Sequence, residues 1–188
     1  SNVRKVFTFR LASFNVSTAS DSLKSNAIHQ RPNLLRGQFA ALNFHMVGVQ
    51  EARTKNNSVR KGDWFVISSG SFPTGTHGLE LWVNLSLPYI SLDDKDFCFS
   101  AEHFTVTTST PTTLVTHVHA PQLNTVVLVA HAPHGDDSCY STEDKELWWE
   151  DLRSELAKHI EPIVFIDANS RLDNIASYSV GEGGGAAN

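Results

Sequence analysis

The sequence predicts an α+β fold whose central strands are covered on both faces. Three short segments are apolar at every position rather than at alternate positions: residues 46–49, 126–130 and 163–166. A strand that is apolar on both sides must be buried on both sides, which requires layers above and below its sheet. Two longer segments repeat their apolar residues at helical spacing and could supply those layers. The 188 residues, 40% of them hydrophobic, suffice for one domain with a buried core.

The strands follow one another along most of the chain. Each is bounded by turn-forming residues or by a helix, and each is rich in β-branched or aromatic residues. The predicted strands are residues 7–16, 45–50, 64–68, 78–84, 104–109, 113–120, 125–131 and 163–166.

Two helices interrupt this series. The first is predicted over residues 32–42, where Pro32 suits the first helical turn. The second is predicted over residues 142–159, because Ser and Thr precede it and acidic residues fill its first turn. Their apolar faces are Leu35, Phe39 and Leu42 in the first helix, and Trp148, Leu152 and Leu156 in the second.

The chain reads as one domain over residues 1–175, followed by a flexible glycine-rich tail over 176–188. No apolar run approaches the ~18 residues of a membrane span, and no signal peptide opens the sequence. Cys98 and Cys139 are too few for a disulfide framework. The sequence therefore predicts an intracellular protein that is neither secreted nor bound to a membrane.

The charge is unevenly distributed. The formal net charge is −5, yet residues 1–62 contain ten Lys and Arg against two acidic residues, a net of +8, so the remainder carries −13. A cluster of basic residues can bind a phosphodiester backbone even when the whole chain is acidic. An ordinary solvated surface is the alternative interpretation.

Polar groups capable of chemistry follow the apolar strands directly. Glu51 follows the strand 45–50, His131 ends the strand 125–131, and Asp167 and Asn169 follow the strand 163–166. Asn15 stands in the same way near the end of the first strand. If these strand ends meet, carboxylate and amide oxygens lie together on a rigid base, which is the ligand set that magnesium prefers.

Other interpretations of the same residues stay open. His117 and His119 share one face of a strand and could bind zinc together, although no third ligand stands at a recognisable spacing. Glu51 could be an ordinary strand-end glutamate and His131 a hydrogen-bonded core histidine. Asp167 and Asn169 could form an Asx-type turn that closes a strand.

Five motifs, in order and at similar spacing, resemble the endonuclease/exonuclease/phosphatase superfamily, which has the DNase I-like fold. They are "LASFNV" with Asn15, "VGVQEAR" with Glu51, "HGLELWV" at 77–83, "LVAHAPH" with His131, and "VFIDANSRL" with Asp167 and Asn169. The stretches "RPNLLRGQFAALNFHM" and "VGVQEARTK" are most similar to the endonuclease domain of non-LTR retrotransposons. The resemblance covers roughly residues 7–173.

The resemblance implies a four-layer α/β/β/α sandwich and a nuclease that nicks target DNA with Mg²⁺, or with Mn²⁺ in its place. It implies that Glu51 and Asn15 are metal-binding, that Asp167 orients the attacking water, and that Asn169 holds a phosphate oxygen. It gives His131 the phosphate or leaving-group position, with Glu80 as the glutamate that pairs with it. Basic residues after Glu51 are implied as DNA-backbone contacts: Arg53, Lys55, Arg60 and Lys61. A retrotransposon endonuclease would act in the nucleus.

The sequence departs from the family pattern in two places. Ile166 stands where the family usually has glycine, and no Ser-Asp-His motif follows Asn169. The resemblance therefore implies a domain that lacks its last strand or strands and is weakly active or inactive alone. It also implies an open sheet edge through which two copies could pair as a homodimer.

Two further functions stay open. The superfamily includes phosphomonoesterases that act on inositol phosphates or lipids, and the basic first third suits any anionic substrate. A degenerate nuclease fold that serves as a non-catalytic binding module is the other.

Overall fold

A computed structural model of the chain describes residues 7–17, 19, 31–134 and 140–169. Within those residues the fold is mixed α+β, as the sequence predicts, with two α-helices and mostly strands. In chain order the elements are β1 (Leu11–Asn15), α1 (Arg31–Ala41), β2 (Met46–Gln50), β3 (Asn57–Lys61), β4 (Trp64–Ser68), β5 (Glu80–Asn84), β6 (Pro88–Leu92), β7 (Lys95–Cys98), a 3₁₀ turn (Ala101–His103), β8 (Phe104–Thr110), β9 (Thr113–Ala120), β10 (Leu123–His131), α2 (Thr142–Leu156) and β11 (Ile163–Asp167).

The strands form two main sheets and one hairpin. The five-stranded sheet has the order β1-β2-β5-β4-β3, and the four-stranded sheet has the order β11-β10-β9-β8. The pair β1 and β2 is parallel, as is the pair β10 and β11, while the other neighbours in both sheets are antiparallel. Each sheet thus places one parallel pair at an edge, and the carboxyl ends of each pair point the same way.

The two sheets pack face to face over one apolar core. Met46, Leu81 and Val83 of the five-stranded sheet contact the same cluster as Val118 and Val129 of the four-stranded sheet. These residues are buried because both strand faces are apolar, as the sequence pattern requires.

Each helix covers the outer face of one sheet. Phe39 of α1 packs with Trp64 and Trp82 on the five-stranded sheet. Leu152 of α2 packs with Val115 and Leu128 on the four-stranded sheet. The layers therefore run helix, sheet, sheet, helix.

The edges that carry the parallel pairs approach each other closely at Gly48. A Cβ atom on Gly48 of β2 would lie 2.2 Å from the Cβ atom of Phe165 in β11, which no side chain tolerates. Glycine is required here because the two sheets nearly touch. The close approach brings the carboxyl ends of β2 and β11 together.

All the predicted strands and both predicted helices are present, although the ends of most of them differ by a few residues. The strands at 64–68 and 113–120 have the predicted bounds, whereas β1 is shorter than predicted and α2 ends at Leu156 rather than near residue 159. Phe39 is buried, but Leu42, predicted on the same apolar face, is 53% exposed beyond the end of α1. The glycine-rich tail lies outside the described residues.

Three strands were missed by the sequence analysis. β3 contains one apolar residue, Val59, and is mostly exposed at the sheet edge, so it lacks the burial pattern that marks a strand. β6 and β7 form a hairpin whose turn residues Asp93 and Asp94 have φ values of 50° and 60°. A tight turn made by two aspartates lacks the glycine that usually signals such hairpins.

Among the described residues, no helix combines the length and the apolar character needed to cross a membrane.

Candidate active site

The predicted strand ends do meet. β1 and β2 end together because Asn15 pairs in register with Gln50, and β10 and β11 end together because His131 pairs with Asp167. The close approach at Gly48 sets these two pairs side by side. Five predicted site residues from four strand ends thus lie in one cluster: Asn15, Glu51, His131, Asp167 and Asn169.

Asn15 links the two sheets. Its amide nitrogen donates to Oε1 of Glu51 at 3.0 Å and to Oδ2 of Asp167 at 2.9 Å. Its amide oxygen accepts from the backbone N–H of Ser17 at 3.0 Å, which fixes the orientation of the side chain. Two carboxylates therefore share one donor, and each is only about a quarter exposed.

Glu51 is held as an anion. Burial by itself raises its pKa, but hydrogen bonds from Asn15 and Arg53, together with the charges of His131 and Arg53, outweigh burial and bring the pKa below its ordinary value. The Arg53 guanidinium donates to Oε2 of Glu51 at 2.9 Å. The carboxylate is therefore available as an anion throughout the neutral range.

His131 faces both carboxylates and the amide of Asn169. Its Nε2 atom lies 3.9 Å from Oε1 of Glu51 and 3.8 Å from Oδ2 of Asp167. The Asn169 amide nitrogen donates to the carbonyl oxygen of Ala132 at 2.7 Å and lies 3.0 Å from Nε2 of His131. The amide nitrogen can only donate, so Nε2 is the acceptor in this contact whenever it carries no proton. A proton added at Nε2 would be stabilised by the two carboxylates.

The backbone turns sharply after each of these strands. Ser17, Glu51 and Asn169 all have left-handed φ values, of 56°, 54° and 44°. Oδ1 of Asp167 accepts from the Asn169 N–H at 3.1 Å, which is the Asx-type turn considered above. The turn uses only Oδ1 and leaves Oδ2 directed at the cluster. Left-handed non-glycine residues are uncommon and concentrate at functional sites.

Glu80 has a different environment from the one that the resemblance implies. It is 2% exposed, and its two oxygens accept hydrogen bonds from Thr54 at 2.8 Å and from the Trp82 indole at 2.7 Å. No hydrogen bond or ion pair between Glu80 and His131 occurs among the described residues. The structure thus makes Glu80 the anchor of the loop that carries Thr54.

The predicted basic residues are spread over the five-stranded sheet. Arg53 belongs to the cluster through Glu51, and Lys55 is exposed in the following loop. Arg60 and Lys61 lie at the far end of β3, where Arg60 donates to the Gly62 carbonyl and the Lys61 ammonium lies 5.3 Å from the Trp82 ring centroid. Only the first two therefore lie near the strand ends.

His77 was missed. Its ring centroid lies 5.2 Å from that of His131 and 5.2 Å from that of Phe72, and its carbonyl accepts from the Arg53 N–H at 3.0 Å. It stands inside the quoted segment "HGLELWV", but it ends no apolar strand, so its position in the sequence gives no signal. Its φ of 60° shows that the chain turns there to reach the site.

The donor set suits a hard cation better than zinc. Mg²⁺ retains most of its waters and is usually bound by one or two protein carboxylates. Glu51 and Asp167 provide two carboxylates that lie close enough to share the amide nitrogen of Asn15. Glu51 and Asp167 are the carboxylates that could hold such an ion, whereas the amide oxygen of Asn15, predicted as a metal ligand, accepts from the Ser17 N–H instead. Within the described part of the chain, no three His, Cys, Asp or Glu side chains form a group that could hold a metal ion.

His117 and His119, the zinc alternative, lie with ring centroids 6.0 Å apart on the face covered by α2.

No protein-family profile matches the chain, and no curated protein matches it either.

Proposed function

We propose that the chain is a DNase I-like, metal-dependent phosphodiesterase, and specifically a DNA endonuclease of the retrotransposon type that acts in the nucleus. The proposed fold is the DNase I-like one, and the layer order of helix, sheet, sheet, helix agrees with the sandwich that the sequence resemblance implies.

The observation that carries the proposal is the cluster at the strand ends. Two carboxylates, two amides and an imidazole from four different strands meet across two sheets within hydrogen-bonding or ion-pair distance. Strand register pairs Asn15 with Gln50 in one sheet and His131 with Asp167 in the other. The contacts between the two sheets depend on their close approach at Gly48.

The chemistry of phosphodiester hydrolysis matches these groups. Mg²⁺ or Mn²⁺ would neutralise charge on the phosphate and activate oxygen nucleophiles. Glu51 and Asp167 supply the carboxylates that would hold the ion, and Asp167 also accepts a hydrogen bond from the attacking water. When substrate binds, the Asn169 amide donates to a phosphate oxygen instead of to Nε2 of His131, so Nε2 becomes available. Once protonated, that atom donates to the leaving oxygen, and Glu51 and Asp167 stabilise the imidazolium.

DNA is the proposed substrate because basic residues lie near the site and are concentrated in the first third of the sequence. Arg53 and Lys55 lie near the strand ends, and residues 1–62 carry a net charge of +8. Contacts between basic side chains and phosphates bind the DNA backbone without sequence specificity.

Plasmid nicking in Mg²⁺ tests the proposal. Wild type should convert supercoiled to open-circular DNA, and Glu51→Gln and Asp167→Asn should each reduce the rate by about 100-fold or more, as loss of a transition-state charge contact does. Glu102→Gln, an equivalent change at an exposed position on the 3₁₀ turn, is the matched control and should retain the rate. The same assay on a version extended by about 60 residues of the parent gene measures the contribution of later family motifs.

Two other results would replace the proposal. Hydrolysis of a water-soluble inositol phosphate without nicking would establish the phosphomonoesterase alternative. Stabilisation by Mg²⁺ without turnover of either substrate, in both lengths of the chain, would establish a non-catalytic binding module.

A further inference from the structure

A cavity of about 390 Å³ lies next to the candidate active site, between the β8–β9 turn and α2. Its size falls in the usual range of small-molecule sites, about 300–1,000 Å³. Neither the sequence resemblance nor the proposed chemistry assigns it a role.

The cavity is joined to the site through Thr112. The Thr112 carbonyl accepts from the backbone N–H of His131 at 3.0 Å, and its hydroxyl accepts from the Trp148 indole at 3.3 Å. Phe72, on the cavity wall, packs edge-on against His77, whose ring contacts His131. A group bound in the cavity would therefore be separated from His131 by Thr112 on one side and by the Phe72–His77 ring pair on the other.

The walls suit a flat aromatic ring that bears amino groups. Phe72 and Trp148 offer aromatic surfaces, and several threonine hydroxyls can donate or accept hydrogen bonds. Among the described residues of the lining there is no Lys or Arg, which argues against a phosphate in the cavity itself. Asp151 can accept an exocyclic amino N–H, whereas the other acidic residue, Glu155, is already engaged by Lys158 at 2.6 Å.

We propose that this cavity takes one unpaired base of the DNA strand whose phosphate is cleaved, so that the preferred substrate contains at least one unstacked nucleotide. The location of the phosphate rests on the proposed function. A base inside a duplex is paired and stacked, so it cannot enter a side cavity without leaving the helix. Single strands and duplexes with a bulged base present such a base at little cost.

Binding to labelled oligonucleotides tests the inference independently of cleavage. Fluorescence anisotropy without added metal compares a single-stranded 12-mer, the same strand in a perfect duplex, and the duplex with one bulged base. The single strand and the bulged duplex should bind more tightly than the perfect duplex by about fivefold to 150-fold, the range for one base stacked on aromatic side chains.

Two variant pairs localise the effect. Thr108→Phe fills the cavity from β8 and should abolish the preference for unpaired bases, while Thr105→Phe on the same strand lies outside the cavity and should not. Asp151→Ala should weaken binding of amino-bearing bases but not of thymine, while the neighbouring exposed Glu150→Ala should change neither. Thermal unfolding verifies that each variant is folded.

The outcomes separate this inference from the proposed function. Preference for unpaired bases that Thr108→Phe removes, without any nicking, would support the cavity and overturn the nuclease. Nicking of plasmid with equal affinity for all three oligonucleotides, or with no effect of Thr108→Phe, would overturn the cavity assignment and leave the nuclease intact.

Discussion

Asn15 is the side chain that holds the two carboxylates of the site together. Its single amide nitrogen donates to both Glu51 and Asp167. Asn15→Ala would leave two anions facing each other without a shared donor, so we expect it to lower the free energy of unfolding by about 1 kcal/mol and to reduce nicking. Urea denaturation at neutral pH measures the first effect. Asn57→Ala, at an exposed position of β3, is the control; equal losses in both variants would contradict a special role for Asn15.

The pH dependence of stability reports on Glu51. Because its folded-state pKa lies below the ordinary value of 4.5, its ionisation stabilises the folded protein above that value, and this contribution is lost as the pH falls through the folded pKa. Arg53→Gln removes one of the groups that lower the pKa. We therefore expect a higher Glu51 pKa and a smaller loss of stability on acidification from neutral pH to below 4.5.

Carboxyl NMR titration together with urea denaturation between pH 7 and pH 3 checks this expectation. Lys55→Gln removes a nearby charge that does not contact Glu51, and it serves as the control. An unchanged Glu51 pKa in Arg53→Gln would show that Asn15 and His131 suffice to hold the carboxylate as an anion.

At the scale of elements, the contact between β2 and β11 decides whether the site forms. Gly48→Ala would place a methyl group 2.2 Å from the Cβ atom of Phe165, so the two strands would have to separate. We expect a loss of about 1–3 kcal/mol in the free energy of unfolding, as for other overpacked cores, and loss of nicking. Gly37→Ala in α1, where nothing lies within 4 Å of the new Cβ atom, should instead be neutral or stabilising by up to about 1 kcal/mol.

Thermal and urea unfolding of the two variants provide the comparison. A Gly48→Ala protein as stable and active as Gly37→Ala would mean that the sheets can separate without disturbing the strand ends.

The sequence predicts the elements whose own pattern of apolar residues shows which of their faces are buried. The apolar runs of β2, β10 and β11 and the helical faces of α1 and α2 depend on local patterns, so they are recognisable without a fold. β3 forms a strand because its backbone pairs with β4 at the edge of the sheet. β6 and β7 pair with each other because the chain turns at Asp93 and Asp94. Such partners come from the tertiary fold, which local sequence does not specify.

The same distinction holds for the site. Strand ends that carry polar groups were recognised as a cluster, since parallel strands end on one side of a sheet. The hydrogen bonds of Glu80 to Thr54 and Trp82, and the contact of His77 with His131, join residues that no strand pattern brings together. The same holds for the histidine pair His117 and His119. The ring centroid of a third histidine, His159, lies 5.5 Å from that of His117, and this contact exists only after α2 has packed on β9.

At the scale of the whole molecule, the positions of the basic residues decide which surface DNA covers. The carboxyl ends of β2 and β11 carry the site, and Lys55 is exposed in the loop that leaves it. Arg60 lies three residues along β3 from Asn57, and β3 is the outermost strand on the opposite edge of the sheet. With about 3.3 Å per residue and 4.8 Å per strand, Arg60 lies well over 10 Å from the strand ends.

We therefore expect the two residues to differ in the salt dependence of DNA binding. Lys55→Gln should reduce the slope of log affinity against log salt by about 1, because one phosphate contact and its released counterion are lost. Arg60→Gln should leave the slope unchanged if DNA lies across the strand ends only. Anisotropy with the labelled 12-mer between about 50 and 200 mM salt measures both slopes. A reduction of about 1 in Arg60→Gln as well would place the DNA along the β3 edge and would support the predicted contacts of Arg60 and Lys61 with the DNA backbone.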